Sequence, residues 1–540
     1  MSTKSHLKRS EIGLKNPHLY SRIRSTIETA FFKNNVIEIQ TLEEAYHLAK
    51  NSPGTIISDL PVYNPEAYGL PEDARVLMFN DGIITGRQAQ ARRIINKDNT
   101  EHFAKIIRDG IYENRYRTMY HATVVIGLHE DFSVKAHLLI PEGFENTLYS
   151  WMLNFQVIEE QIKEMYAQST VYDEGDIFLY SDPDYFVEGH EDGLAIFDRE
   201  HNCAALFGLR YFGEHKKSSL TMAWSIAQRN GYLPCHGGQK RFNLKGKDDF
   251  VLSVFGLSGS GKSTITHSKH NDKYDITVLH DDAFVISDKD ASSVSLEPSY
   301  FDKVQDYPTD SEDNKYLLTI QNVGATRDEH GAIVPVTEDI TNGNGRAVKS
   351  KLWTPAREYK FDEKVNAIFW IMKDDTLPPM LKIDSTTLAS TLGATLATKR
   401  TSAEHGADTT KLAMVPYANP FRLYPLSHDY NNFKNIIEKH NVECFVINTG
   451  HFGDKKITPS VTLSAIEGVV ENTNTYKPFT PLADTSYVEI EGFNPDLNDQ
   501  SYLDKFKERM ESRIEYLKNL DPQDTLPEEA YKSIERRLKP

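Results

Sequence analysis

Short apolar runs, separated by polar and turn-forming residues, recur along the whole chain. Thr123–Ile126, Phe250–Phe255, Ile276–Leu279, Ala367–Met372 and Cys444–Ile447 are rich in β-branched and aromatic residues, which predicts strands. Helical periodicity lies between some of them and predicts helices over Thr387–Lys399 and Tyr430–Lys439. Near the end, in the charged stretch from Asn498 to Pro540, Tyr502, Phe506, Met510, Ile514 and Leu517 fall at helical spacing. That stripe is expected to be the packing face of a C-terminal helix. No repeat of fixed period is visible. The mixture predicts an α/β (mixed α+β) fold.

A chain of 540 residues suggests two to four domains at roughly 150 residues each. Its hydrophobic share of 39 % and charged share of 26 % are ordinary globular usage, which excludes disordered and collagen-like classes. The 61 Lys+Arg against 78 Asp+Glu give a net charge of −17. That balance argues against general binding to nucleic acid or anionic membrane, but leaves room for a local cationic cleft. Cys203, Cys235 and Cys444 form no CxxC pair, so reduced thiols and a cytoplasmic location are expected. The N-terminus lacks the apolar core of a secretory signal, and the apolar runs are too short to span a bilayer. The Gly- and Lys-rich stretch from Gly231 to Lys247 predicts a boundary, with one domain over 1–230 and another over 231–540.

The sharpest motif is Gly256-Leu257-Ser258-Gly259-Ser260-Gly261-Lys262-Ser263, directly after the strand Phe250–Phe255. It matches GxxxxGK[ST], a phosphate-binding loop. Glycines let the backbone wrap around phosphate so that N–H groups point inward. Lys262 would offset the β- and γ-phosphate charge, and the Ser263 hydroxyl can ligate Mg²⁺. The next predicted strand ends in His280-Asp281-Asp282. A carboxylate there can hold a metal, or serve as an ordinary turn cap. Asp282 follows Lys262 by 20 residues, closer than in most nucleotide-hydrolysing P-loop proteins.

Taken in order, the motifs resemble ATP-dependent phosphoenolpyruvate carboxykinase. Thr85-Gly86-Arg87 resembles the family's substrate loop, and Tyr211-Phe-Gly-Glu-His-Lys216-Lys217 its Tyr-x-Gly-Glu-x-Lys-Lys segment. His236 resembles its metal histidine, the P-loop ending in Ser263-Thr264 its Gly-Lys-Thr-Thr, and Asp281-Asp282 its Asp-Asp pair. Lys303, Glu312 and Arg346 sit at similar offsets, followed by Leu377-Pro-Pro379 and an adenine-side segment of Asn448-Thr-Gly450, Lys456-Ile457 and Thr462. The chain departs from the pattern after Arg87 (Gln88-Ala-Gln-Ala-Arg92-Arg93), after His236 (Gly237-Gly238 for Cys-Ser) and after Arg346 (Ala347-Val-Lys349 for Ser-Tyr-Pro). Lys456 stands where an adenine-stacking arginine is usual, and lysine cannot stack equivalently.

The resemblance implies a two-lobed fold: an N-terminal substrate-binding domain, then a P-loop nucleotide- and metal-binding domain. It implies the reaction of oxaloacetate with ATP to phosphoenolpyruvate, ADP and CO₂, as in gluconeogenesis, by a monomer. It assigns Mn²⁺ to Lys217, His236 and Asp282, and Mg²⁺ to the phosphates at Ser263. Arg87 and Arg346 would grip the acid's carboxylates, Tyr211 would face the carboxylate or the departing CO₂, and Lys262 and Lys303 would oppose γ-phosphoryl charge. Gly256 to Thr264, Glu312, Arg346, Lys456, Ile457 and Thr462 would contact ATP. Since the departures cluster around the acid, two alternatives stand beside this reading. One is a carboxykinase-fold kinase with another acceptor, a small acid or a protein hydroxyl. The other is a non-catalytic nucleotide sensor.

Overall fold

A computed structural model of the protein describes residues 21–79, 91–257, 259–304, 311–337, 345–399 and 412–538. Arg87 and Ser258 lie outside the described residues. Those described gather into two compact units, one drawn from Met1–Ile226 and Leu296–Pro355, the other from Ala227–Ser295, Ala356–Thr401 and Ala407–Pro540. Both mix helices and strands.

In the first unit an eight-stranded sheet is built around the hairpin of Met119–His129 and Phe132–Pro141. Ile177–Asp182 and Cys203–Phe207 continue it in parallel. The helices Arg22–Ala30 and Thr100–Glu113 cover one face through Ile23, Ile27, Phe103 and Ile107, which pack on Phe178 and Ile196. A second sheet has the order Tyr300–Lys303, Arg346–Lys349, Leu317–Gln321, Arg75–Phe79, Thr55–Pro61. Its register explains why Leu296–Pro355 belongs here, whereas a single cut at residue 230 assigns that segment elsewhere. Leu317–Gln321 pairs in parallel with Arg75–Phe79, Thr319 opposite Leu77.

The second unit centres on three parallel strands, Phe250–Phe255, Val365–Met372 and Glu443–Asn448. They are almost wholly buried, as strands covered on both faces must be. Gly238–Asn243 pairs antiparallel with both Phe250–Phe255 and Asp275–His280. Asp275–His280 therefore runs in the same sense as the central strands. Its end, and the loops after the central three, meet along one carboxyl edge, where open α/β sheets bind ligands.

Some predicted boundaries shift. The helix expected over Thr387–Lys399 ends at Ala394, and Ala397–Lys399 is a strand, because it pairs with Leu412–Met414. The helix expected over Tyr430–Lys439 spans Leu426–His440. Gly231–Lys247, read as a boundary segment, carries the strands Tyr232–His236 and Gly238–Asn243. The C-terminal helix spans Gln500–Lys518, burying Phe506, Met510, Ile514 and Leu517, with Tyr502 half-buried. The three cysteines are free and buried, and burial pushes the Cys235 thiol well up. Among the described residues no helix is long and apolar enough to cross a membrane.

Candidate active site

The loop expected to bind phosphate, in the second unit, begins where Phe255 leaves the sheet. A side chain at Gly256 would place its Cβ 2.3 Å from Ser260 Oγ. Gly259 and Gly261 take φ of +75° and +98°, a region other residues enter at a cost. The helix that follows, Lys262–His267, has six residues. Thr266 Oγ1 donates back to Lys262 O at 2.9 Å. Ser263 and Thr264 are exposed on its first turn.

Lys262 Nζ lies 3.6 Å from Asp282 Oδ1. His236 Nε2 lies 3.0 Å from the same oxygen. The register makes this meeting: His236 stands opposite Ala283 in the ladder of Tyr232–His236 with Ala283–Ser287, so Asp282 is next to it. His236 Nδ1 is 2.5 Å from Ala418 O. A carbonyl only accepts, so Nδ1 carries hydrogen. In the neutral ring the lone pair is then on Nε2, facing the carboxylate. The neighbouring Asp281 turns elsewhere, with His267 Nε2 3.3 Å from its Oδ2. Burial pushes the Asp281 carboxyl up, but its hydrogen bond with His267 and the charges of His267, His280 and Lys262 outweigh that and hold it below the usual range. The two aspartates are thus separated in role by the bend at the strand end.

On the segment expected at the adenine side, Lys456 is exposed in the two-residue strand Lys455–Lys456. Ile457 is buried and donates its N–H to Gly450 O at 2.9 Å. Thr462 is buried in the helix Pro459–Glu471.

The first unit holds the residues expected on the acid side. Arg346 Nε donates to Tyr211 OH at 3.2 Å, both side chains being buried. Gly213 permits this: a Cβ there would lie 2.3 Å from the Tyr211 ring. Lys303 faces Arg346 across the ladder of Tyr300–Lys303 and Arg346–Lys349. Lys216 and Lys217, adjacent in the helix Phe212–Arg229, diverge. Lys216 pairs with Glu297 at 3.0 Å, while Lys217 is half-buried with Nζ 6.0 Å from the Trp224 ring centre. Glu312, exposed at the start of the turn Glu312–Tyr316, also belongs to the first unit. Among the described residues no cluster of three or more His, Cys, Asp and Glu is placed to hold a metal.

Several contacts that shape the site escaped the sequence reading, although Asn448 and Thr449 stand in the segment expected at the adenine side. Lys373 Nζ donates to Gly259 O at 2.8 Å, and Thr449 Oγ1 to Ser260 O at 2.7 Å. Asn448 Nδ2 donates to Asp374 O, Leu377 O and His451 O. Buried Lys240 donates to Ile265 O at 2.7 Å and Ser268 O at 3.1 Å, closing the short helix, and burial pulls its ammonium down to about 7. The local signal for Lys373 was its position just past a strand end beside the loop, whereas Asn448 and Thr449 belong to the Asn-Thr-Gly pattern.

The chain matches a family model described as phosphoenolpyruvate carboxykinase over residues 66–477. Similar curated proteins bear the name phosphoenolpyruvate carboxykinase (ATP). That of Alkaliphilus oremlandii is 23% identical over 93% of this chain and 97% of its own length. That of Aeropyrum pernix is 25% identical over 62% and 71%, and that of Neurospora crassa 21% over 73% and 68%. The family model covers most of the chain, and the chain belongs to the ATP-dependent phosphoenolpyruvate carboxykinase family, as a divergent member.

Proposed function

We propose that this chain catalyses the reaction of oxaloacetate with ATP to give phosphoenolpyruvate, ADP and CO₂. The C–C bond to the departing carboxylate breaks and its electron pair stays behind as an enolate. The enolate oxygen then attacks the γ-phosphorus, and the bond to the β–γ bridging oxygen breaks. The barrier is lowered mainly by charges held where negative charge develops.

The observation that carries this reading is the approach of Lys262 Nζ and His236 Nε2 to one oxygen, Asp282 Oδ1, at the edge where the phosphate loop begins. Lys262 is the proposed counter-charge to the β- and γ-phosphates. An imidazole nitrogen and a carboxylate oxygen 3.0 Å apart form a donor set suited to Mn²⁺. The Ala418 carbonyl holds the ring as second partners commonly do for metal-binding histidines. Lys217, His236 and Asp282 are the proposed Mn²⁺ ligands, and the exposed Ser263 hydroxyl a proposed ligand of Mg²⁺. Such cations supply positive charge opposite the enolate and phosphoryl oxygens. Arg346, held by Tyr211, offers a planar fork to a carboxylate, with Arg87 as its proposed companion. Lys303 is the proposed second γ-phosphoryl cation. Gly256 to Thr264, Glu312, Lys456, Ile457 and Thr462 are the proposed ATP contacts. A monomer acting in the cytoplasm in gluconeogenesis is the proposed setting.

Two departures from the family pattern are matched by local packing. Lys349 is buried, its Nζ 3.2 Å from the Trp353 ring centre and 3.6 Å from Asp313 Oδ2. At Gly238 the space a side chain would fill is taken by Thr266. Neither favours another acceptor. Purified protein given ATP, Mn²⁺ and oxaloacetate should form phosphoenolpyruvate, and His236→Ala should abolish it. Faster γ-phosphoryl transfer to another small acid than to oxaloacetate would overturn the proposal.

A further inference from the structure

Phosphate binding depends on how the P-loop peptides are turned, and two side chains from outside the loop turn them. Lys373 holds the carbonyl of Gly259 and Thr449 that of Ser260. In a planar trans peptide C=O and N–H point opposite ways. Drawing Ser260 O outward therefore fixes the direction of the Gly261 N–H.

Both holders stand on the same small hub. Lys373 precedes Asp374, and Thr449 follows Asn448, whose amide donates to Asp374 O at 2.9 Å. Thr449 N also donates to Met372 O at 3.1 Å. Asp374 is fully buried and accepts from Thr376 N and Oγ1. Its other oxygen, Oδ2, accepts from Arg513 NH2 at 2.9 Å, an ion pair with both side chains 1% exposed.

Arg513 lies on the C-terminal helix Gln500–Lys518, beyond the residues 66–477 matched by the family. The same helix grips the hub at more points. Arg513 NH1 donates to Thr395 O at 3.1 Å, Tyr502 OH to Thr376 O at 2.9 Å, and Lys505 Nζ to Asp375 Oδ2 at 2.7 Å. Arg509 approaches Asp374 and Asp375. A packing face alone needs only the apolar stripe. The buried charge is costly unless paired, and it is placed on the loop that carries Lys373 and is bonded to Asn448.

We infer that the C-terminal helix is a positioning element for the nucleotide. Through Arg513 and Asp374 it fixes residues 372–376, and through Lys373 and Thr449 it orients the phosphate loop. Arg513 touches no reacting atom; it acts through Asp374. The inference rests on the ATP-binding reading of the P-loop.

The test is direct binding of Mg-ATP by calorimetry, beside KM for ATP and for oxaloacetate. The variants are Arg513→Met, Arg513→Lys, Tyr502→Phe and Lys373→Met. Arg513→Met should weaken ATP binding by at least about fivefold, with oxaloacetate KM within about twofold. Arg513→Lys should recover part of the loss. Arg513→Met combined with Lys373→Met should lose little more than the worse single variant, because both break one path. Should Arg513→Met fail to fold, Tyr502→Phe decides, since it removes a single hydroxyl; a twofold to threefold loss of ATP affinity is expected. Folded variants with wild-type ATP affinity, or an equal rise in KM for both substrates, would overturn the inference. A wild-type protein that binds no ATP would instead overturn the reading beneath it.

Discussion

Replacing Gly238 by Ala tests how this chain rebuilt the surroundings of its phosphate loop. The resemblance puts a serine at that position; this chain has glycine, with Thr266 packed against it. An added Cβ would stand 2.0 Å from Thr266 Oγ1, 3.2 Å from Thr266 Cβ and 3.3 Å from Val254 Cγ2. Normal contact begins near 3.4 Å, so the hydroxyl must move by more than 1 Å. Moving it breaks its bond to Lys262 O. Overpacking of this kind costs about 1–3 kcal/mol. Thr266→Ala alone removes the buried hydroxyl and a methyl, at about 1–2 kcal/mol. The double variant should recover, since the new methyl fills the space that Thr266 vacates. A coupling of about 1–2 kcal/mol in the double-mutant cycle is expected. Urea unfolding at equilibrium gives the three differences. KM for ATP should rise in Gly238→Ala and return toward wild type in the double variant. If the two substitutions add within about 0.5 kcal/mol, the exchange of volume between positions 238 and 266 is refuted.

Lys262→Met should lower kcat by about 10³-fold or more with folding intact, since the residue is the proposed counter-charge to what develops during transfer; a loss under tenfold would remove Lys262 from that role. Tyr211→Phe removes the hydroxyl that accepts from Arg346 Nε and should raise KM for oxaloacetate about fivefold, with KM for ATP unchanged; steady-state kinetics read both. Acid should destabilise the first unit. Burial pulls His121 down to about 3 and His137 and His215 to about 4; for His121 the neighbouring His137 adds to this, whereas for His137 Asp176 opposes it. The unfolded chain takes up these protons near pH 6.5, so stability is full above that pH and falls as pH drops from about 6.5 toward 4. The loss is about 2 kcal/mol per histidine by pH 5. Urea midpoints at pH 7 and 5 check it, and His137→Gln should flatten the slope.

What the sequence discloses and what it hides follow physical lines. The strand Phe250–Phe255 and the loop after it are local facts: a β-branched run, then glycines whose positive φ the turn requires. Such features need no knowledge of distant residues. Ala397–Lys399 was misread as helix because its strand partner, Leu412–Met414, is set by pairing rather than by propensity. The return of Leu296–Pro355 to the first unit is likewise a matter of pairing with Arg75–Phe79, over 230 residues away. At the site, the loop motif and the strand end supplied Lys262 and Asp282 as names, and the resemblance supplied His236. It could not supply the Ala418 carbonyl that orients the imidazole, 182 residues on. Nor could it show Lys373 and Arg513, whose roles exist only where strand ends meet a helix from the far end of the chain.

In the proposed reaction one chain couples loss of CO₂ to phosphoryl transfer. Purified protein should be given γ-labelled ATP, Mn²⁺ and oxaloacetate, with phosphoenolpyruvate, ADP and CO₂ measured in the same samples. The three products should appear in equal amounts, with the label in phosphoenolpyruvate, and should vanish together in Lys262→Met. ADP formed with inorganic phosphate and no phosphoenolpyruvate, or CO₂ released without ADP, would contradict it.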